Sequence, residues 1–239
     1  MIRRRNHAAG MYVPTPVVSV MAMMVLKTHD GNEVETYVTG PDSARHAVLI
    51  IHDWWGVLKY NQQWADRLAA LGYKAMVIDL YDGEKASNAE QAGELMRNLD
   101  QDSADNKLLA ALEYLKDGGR KVTTLGWSLG GRQALLAALL DPEVVNSAVL
   151  FYCRMVTDVE ALRELGGPVL AIYAQQERTW PDKMESFNKA MLAAGKAVET
   201  HTFDAGHGFA NPGSERYSEA FSNQSWELVK DFMLRVAPL

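Results

Sequence analysis

Cys153 is the only cysteine among 239 residues, so the chain can form no internal disulfide and no cysteine-built metal site. Positive charge is also short. Lys and Arg total 24 against 30 Asp and Glu, a formal net charge of −6. That balance argues against a general nucleic-acid binder, which needs a basic face, and against docking on an anionic membrane surface. No apolar run approaches the ~18 residues that span a bilayer. There is no glycine-rich phosphate loop followed by lysine and no His/Asp/Glu cluster at metal-ligand spacing, so neither cofactor nor metal is implied. Internal repeats, low-complexity tracts and linkers are absent too.

What remains is an ordinary globular composition, 48% hydrophobic and 23% charged, at a length that suits one domain. The first 22 residues stand apart. Arg3-Arg4-Arg5 precedes an apolar run, Val17 to Leu26, whose approach is interrupted by Pro14 and Pro16. Met11, Met21, Met23 and Met24 are each possible starts. Residues 1–22 are therefore expected to be an extension, disordered or upstream of the true start, with an export signal as the alternative. Residues 23–239 form the expected domain. With the single cysteine this suggests a cytoplasmic protein, a monomer or small homo-oligomer.

From there the chain alternates strand and helix patterns. Two strands, 23–28 and 33–39, flank the turn His29-Asp30-Gly31-Asn32. The unbroken apolar run at 47–51 reads as a strand buried on both faces, and further strands are expected at 74–80, 122–125, 146–151, 168–174 and 198–203. Helices are expected at 60–71, 103–116, 132–140, 180–194 and 214–236, with loop and short helix over 82–102. The pattern predicts an α/β fold: one mainly parallel sheet with helices on both faces.

Leu125-Gly126-Trp127-Ser128-Leu129-Gly130-Gly131 lies between one of these strands and its helix. Gly-x-Ser-x-Gly in that context is the nucleophile turn of an α/β hydrolase: small neighbours let the chain bend sharply and expose the serine hydroxyl. The chemistry then needs a base, an acid that orients it, and donors for an oxyanion. In the order Ser, acid, His, only His201 and His207 follow late enough, and His207 lies on a glycine-flanked loop. Glu177, Asp182 and Glu185 follow the preceding strand. Glu177 is the expected acid, with Asp182 the alternative, since Asp182 also suits a helix start. The oxyanion donors should be the N–H groups of Leu129 and Trp54. Asp53, Trp55, Tyr81, Trp127 and Tyr152 are expected around the substrate, and Cys153 as a small buried hydrophobe.

His52-Asp53-Trp54-Trp55-Gly56, Asp79-Leu80-Tyr81, Gly126-Trp127-Ser128-Leu129-Gly130-Gly131 and Gly206-His207-Gly208-Phe209-Ala210 together resemble the dienelactone hydrolase family of α/β hydrolases. The resemblance runs from about Met24 to the end. It implies a hydrolase without cofactor, acting on small esters or lactones. It also marks four departures. Ser128 stands where the family's lactone-cleaving members carry a nucleophilic cysteine. Asp53 replaces a glutamate that meets the resting thiol, and Glu177 replaces a triad aspartate. Gly83 and Asn211 replace two arginines that hold the substrate carboxylate. The resemblance with these losses implies a neutral or aromatic ester or lactone. A dienelactone-type lactonase with a rebuilt anion site is the alternative, Arg154 being one residue able to meet an anion. A hydrolase-fold ligand-binding protein with little turnover is the competing class.

Overall fold

The structure is a computed structural model and describes residues 21–239. The expectations for residues 1–20 lie outside the described residues. Eight strands form one sheet: β1 (Ala22–Lys27), β2 (Glu33–Thr39), β3 (His46–Ile51), β4 (Lys74–Ile78), β5 (Lys121–Trp127), β6 (Val145–Phe151), β7 (Val169–Ala174) and β8 (Val198–Phe203). Their spatial order is β1-β2-β4-β3-β5-β6-β7-β8. β1–β2 and β2–β4 pair antiparallel, and every other pair is parallel.

Among the described residues seven α-helices flank the sheet: α1 (Lys59–Leu71), α2 (Ala89–Asn98), α3 (Gln101–Leu115), α4 (Leu129–Leu140), α5 (Val159–Arg163), α6 (Asp182–Ala193) and α7 (Glu219–Val236). None is long and apolar enough to cross a membrane, among the described residues. The central strands are apolar throughout because both their faces are covered. In β3, Val48 and Ile50 belong to the core layer that also holds Trp64 and Leu68 of α1 and Val229 and Phe232 of α7, while Ala47, Leu49 and Ile51 belong to the opposite layer, which holds residues of α3, α4 and α6. The edge strand β1 alternates instead. Met24 and Leu26 meet the core, and Met23 and Val25 stay exposed.

Several element boundaries differ from the sequence pattern. The segment 82–102 holds a full helix, α2, and the start of α3. Asn88 caps α2 by accepting from the Gln91 N–H (2.9 Å), and Asp100 caps α3 by accepting from Ser103 (2.9 Å). α7 begins at Glu219 rather than Ser214. Residues Asn211 to Tyr217 form turns, and Ser218 accepts from the Phe221 N–H (3.2 Å) as the true cap. α6 begins at Asp182, two residues later than expected.

Candidate active site

Ser128 follows β5 and precedes α4, with φ 54° and ψ −116°, a conformation that costs a non-glycine residue energy. Two backbone bonds hold it: its N–H donates to Phe151 (2.9 Å) and its carbonyl accepts from Arg132 (3.1 Å). The flanking glycines make the bend possible. A Cβ on Gly126 would stand 2.0 Å from the Gly130 carbonyl oxygen, and one on Gly130 would stand 2.1 Å from that of Ile51. Leu129 opens α4, so its N–H is among the donors that have no intrahelical acceptor.

Ser128, Glu177 and His207 lie on loops after β5, β7 and β8 and meet at the carboxyl ends of the strands. Ser128 Oγ is 2.8 Å from His207 Nε2. On the other side of the ring, Nδ1 bonds Glu177 Oε1. A carboxylate only accepts, so the proton sits on Nδ1, which leaves Nε2 to accept the serine hydroxyl proton. Glu177 Oε2 accepts from Lys183 (2.7 Å), both side chains being largely buried. Burial pushes the Glu177 carboxyl up. The hydrogen bonds from His207 and Lys183, with their charges, outweigh this and hold it below the usual carboxylate range. The rings of Tyr152 and His207 pack edge-on, with centroids 5.0 Å apart. Asp182 is exposed at the first position of α6, with no hydrogen bond to His207.

Glu177→Ala is therefore expected to lower kcat by on the order of 10⁴-fold. Asp182→Ala should cost less than tenfold. Steady-state hydrolysis of 4-nitrophenyl acetate by the two purified variants compares them, and the reverse ranking would make Asp182 the acid.

A cleft of about 640 Å³ opens beside the serine. Leu129, Tyr152 and His207 line it together with Met96, Leu99 and Thr179. Four of the five residues expected around the substrate are placed elsewhere. Trp127 is wholly buried between Tyr60, Trp64 and Phe151 and is a core residue. Asp53 is buried too and accepts from Trp55 N–H (2.9 Å), Tyr60 Oη (2.9 Å) and Asn211 Nδ2 (3.0 Å). Burial pushes its carboxyl up despite these donors. It is a structural tie, not a substrate contact. Tyr81 packs on His52, ring centroids 4.7 Å apart. Trp55 stacks edge-on with Trp54 and does not line the cleft. Trp54 follows the end of β3, whose Ile51 pairs with Gly126, so its loop runs beside the serine turn.

His52 has both ring nitrogens occupied, by the Asp53 carbonyl (2.7 Å) and the Leu80 N–H (3.0 Å). It is a buried link between β3 and β4. Burial pushes the Cys153 thiol up to about 12, which leaves it inert as a nucleophile.

Of the cations around the cleft, only Arg154 was singled out from the sequence. Arg97, Arg132, Arg154 and Lys183 line the cleft, and none of its lining residues is acidic. Loss of arginine at Gly83 and Asn211 does not leave the cleft without positive charge, because neither position lines it. Gly83 donates to Asp79 and Asn211 to Asp53. Arg132 was within reach of sequence reasoning, being one helical turn past Ser128. Arg97 had no motif to mark it.

A model of the dienelactone hydrolase family matches residues 34–237. A protein of Aquifex aeolicus named "Putative carboxymethylenebutenolidase" is 29% identical over 226 residues, which span 89% of this chain and 97% of that one. Among solved structures, a dienelactone hydrolase from Anabaena variabilis superposes with a TM-score of 0.70 at 21% identity, covering 91% of this chain and 98% of that one. Brefeldin A esterase, described as a bacterial homologue of human hormone-sensitive lipase, superposes with a TM-score of 0.68 at 15% identity, covering 94% and 79%. The fold, the strand-to-helix serine turn and the family match converge: the chain is an α/β hydrolase and belongs to the dienelactone hydrolase family.

Proposed function

We propose that the protein is a serine hydrolase that cleaves carboxylic esters or lactones through an acyl-enzyme. The observation that carries this reading is the line Ser128 Oγ, His207, Glu177, with the serine hydroxyl 2.8 Å from the one ring nitrogen free to accept its proton. Ser128 Oγ attacks the carbonyl carbon as its proton passes to His207 Nε2. Glu177 stabilises the imidazolium, and Lys183 holds Glu177 in place. The Leu129 and Trp54 N–H groups receive the oxyanion. The tetrahedral species collapses: the C–O bond to the alcohol breaks, and His207 returns its proton to the departing oxygen. Water then gives His207 a proton and attacks the acyl carbon. Collapse of the second tetrahedral species releases the acid and restores Ser128.

A fluorophosphonate probe phosphonylates an activated serine. Labelling is expected at Ser128, located by peptide mass spectrometry, and should be lost in Ser128→Ala. Absence of labelling on correctly folded protein would favour a ligand-binding protein on the same fold.

A further inference from the structure

The four cations of the cleft differ in what the protein offers them. Lys183 is neutralised by Glu177. Arg97, Arg132 and Arg154 have no carboxylate within 4.0 Å among the described residues. This grouping occurs in a chain whose net charge is −6. Like charges repel, so gathering three guanidinium groups in one cleft costs stability unless a ligand offsets it.

Arg132 and Arg154 are adjacent, and both are tied to the serine turn. Arg132 stands one turn into α4 and donates through Nη1 to the Met155 carbonyl (3.1 Å) and, more weakly, to that of Arg154 (3.5 Å). Arg154 lies three residues beyond Phe151, whose carbonyl accepts the Ser128 N–H. Arg97, on α2, lines the same cleft. Burial, and after it the charge of Arg154, pulls the Arg132 pKa down. The two guanidinium groups therefore affect each other electrostatically. A guanidinium presents a planar fork that matches a carboxylate in two parallel hydrogen bonds, and a cleft of one sign draws such anions in.

We infer that Arg132 and Arg154 form an anion subsite beside Ser128, and that the preferred ester or lactone carries a free carboxylate a few bonds from the scissile carbonyl. The inference rests on the serine-hydrolase reading of the same cleft. It places the anion at residues 132 and 154, and not at 83 and 211.

Ethyl hydrogen adipate and ethyl hexanoate differ only in a terminal carboxylate against a methyl. The wild-type kcat/KM is expected to favour the adipate by roughly 10- to 100-fold, the range for hydrogen bonds to a charged group. Arg154→Gln should cut that ratio about tenfold, and Arg154→Glu should bring it below one. Arg154 is exposed, so these variants keep the fold; Arg132→Gln, checked by thermal melt, should act in the same direction. Equal or lower wild-type activity on the adipate, or a ratio untouched by the Arg154 variants, overturns the inference while leaving a serine esterase intact. Equilibrium dialysis with Ser128→Ala protein separates binding from turnover. Tighter retention of the adipate, lost with Arg154→Glu, supports the subsite even if neither ester is hydrolysed. Equal retention of both esters counts against it.

Discussion

Ser128→Ala is expected to lower kcat for 4-nitrophenyl acetate by on the order of 10⁵- to 10⁶-fold, with no loss of thermal stability. The expectation of unchanged stability follows from the backbone. Alanine and serine meet the same penalty at φ 54°, and the two bonds that hold the turn are main-chain ones. The activity loss follows from the hydroxyl being the atom that His207 Nε2 faces. His207→Ala should fall by a similar factor, and the double variant hardly further, because nucleophile and base act as one unit and removing either ends the same pathway. Additive losses in the double variant would mean that the two residues act independently, and the proton-transfer route through His207 would then be wrong. Residual activity common to all three variants would measure what the oxyanion donors and substrate binding achieve alone.

Gly130→Ala is expected to destabilise the protein by about 3–5 kcal/mol, a large effect for one added methyl. The new Cβ would stand 2.1 Å from the Ile51 carbonyl oxygen and 2.3 Å from that of His52. These are backbone atoms of β3 and its end, fixed between β4 and β5, so neither can move aside without breaking the ladder. For a chain of this size the loss corresponds to a fall in Tm of roughly 6–20 °C. Gly118→Ala is the control. Its Cβ would meet nothing within 4 Å, but φ there is +72°, so only the backbone penalty of about 1–2 kcal/mol applies. Similar melting temperatures for the two variants would show that β3 and α4 separate more easily than their packing implies.

The sheet was legible because burial on both faces leaves a plain signal, runs such as Ala47 to Ile51. The serine turn was legible because the close approach of α4 to β5 admits only glycine at residue 126, and its approach to β3 only glycine at residue 130. Chain order left His201 and His207, and the glycine-flanked loop selected His207. The carboxylate that bonds His207 was legible only to a short list, since sequence spacing cannot tell the loop carboxylate Glu177 from the helix-start carboxylate Asp182. The cleft walls were largely hidden. Trp127 adjoins Ser128 in sequence, yet the strand directs it into the layer beneath α1 and α7, while the turn at residue 128 carries the hydroxyl out the other way. Met96, Arg97 and Leu99 reach the cleft from a segment some thirty residues upstream, brought there by caps at Asn88 and Asp100 that periodicity alone did not reveal.

The strand order has a consequence for biosynthesis. From β5 onward each new strand joins the outer edge of the sheet in the order it is made: β6 on β5, β7 on β6, β8 on β7. Ser128 follows β5, on which this series is built, and His207 lies on the loop that follows β8, the last strand. A nascent chain that has reached β7 presents an unpaired parallel edge, Val169 to Ala174, all of it apolar apart from Tyr173, and has no histidine opposite the serine. Docking of β8 closes that edge and delivers His207 in one event. Reactivity at Ser128 would therefore arise only as the sheet becomes complete, which makes labelling of the serine a clock for the final step of folding.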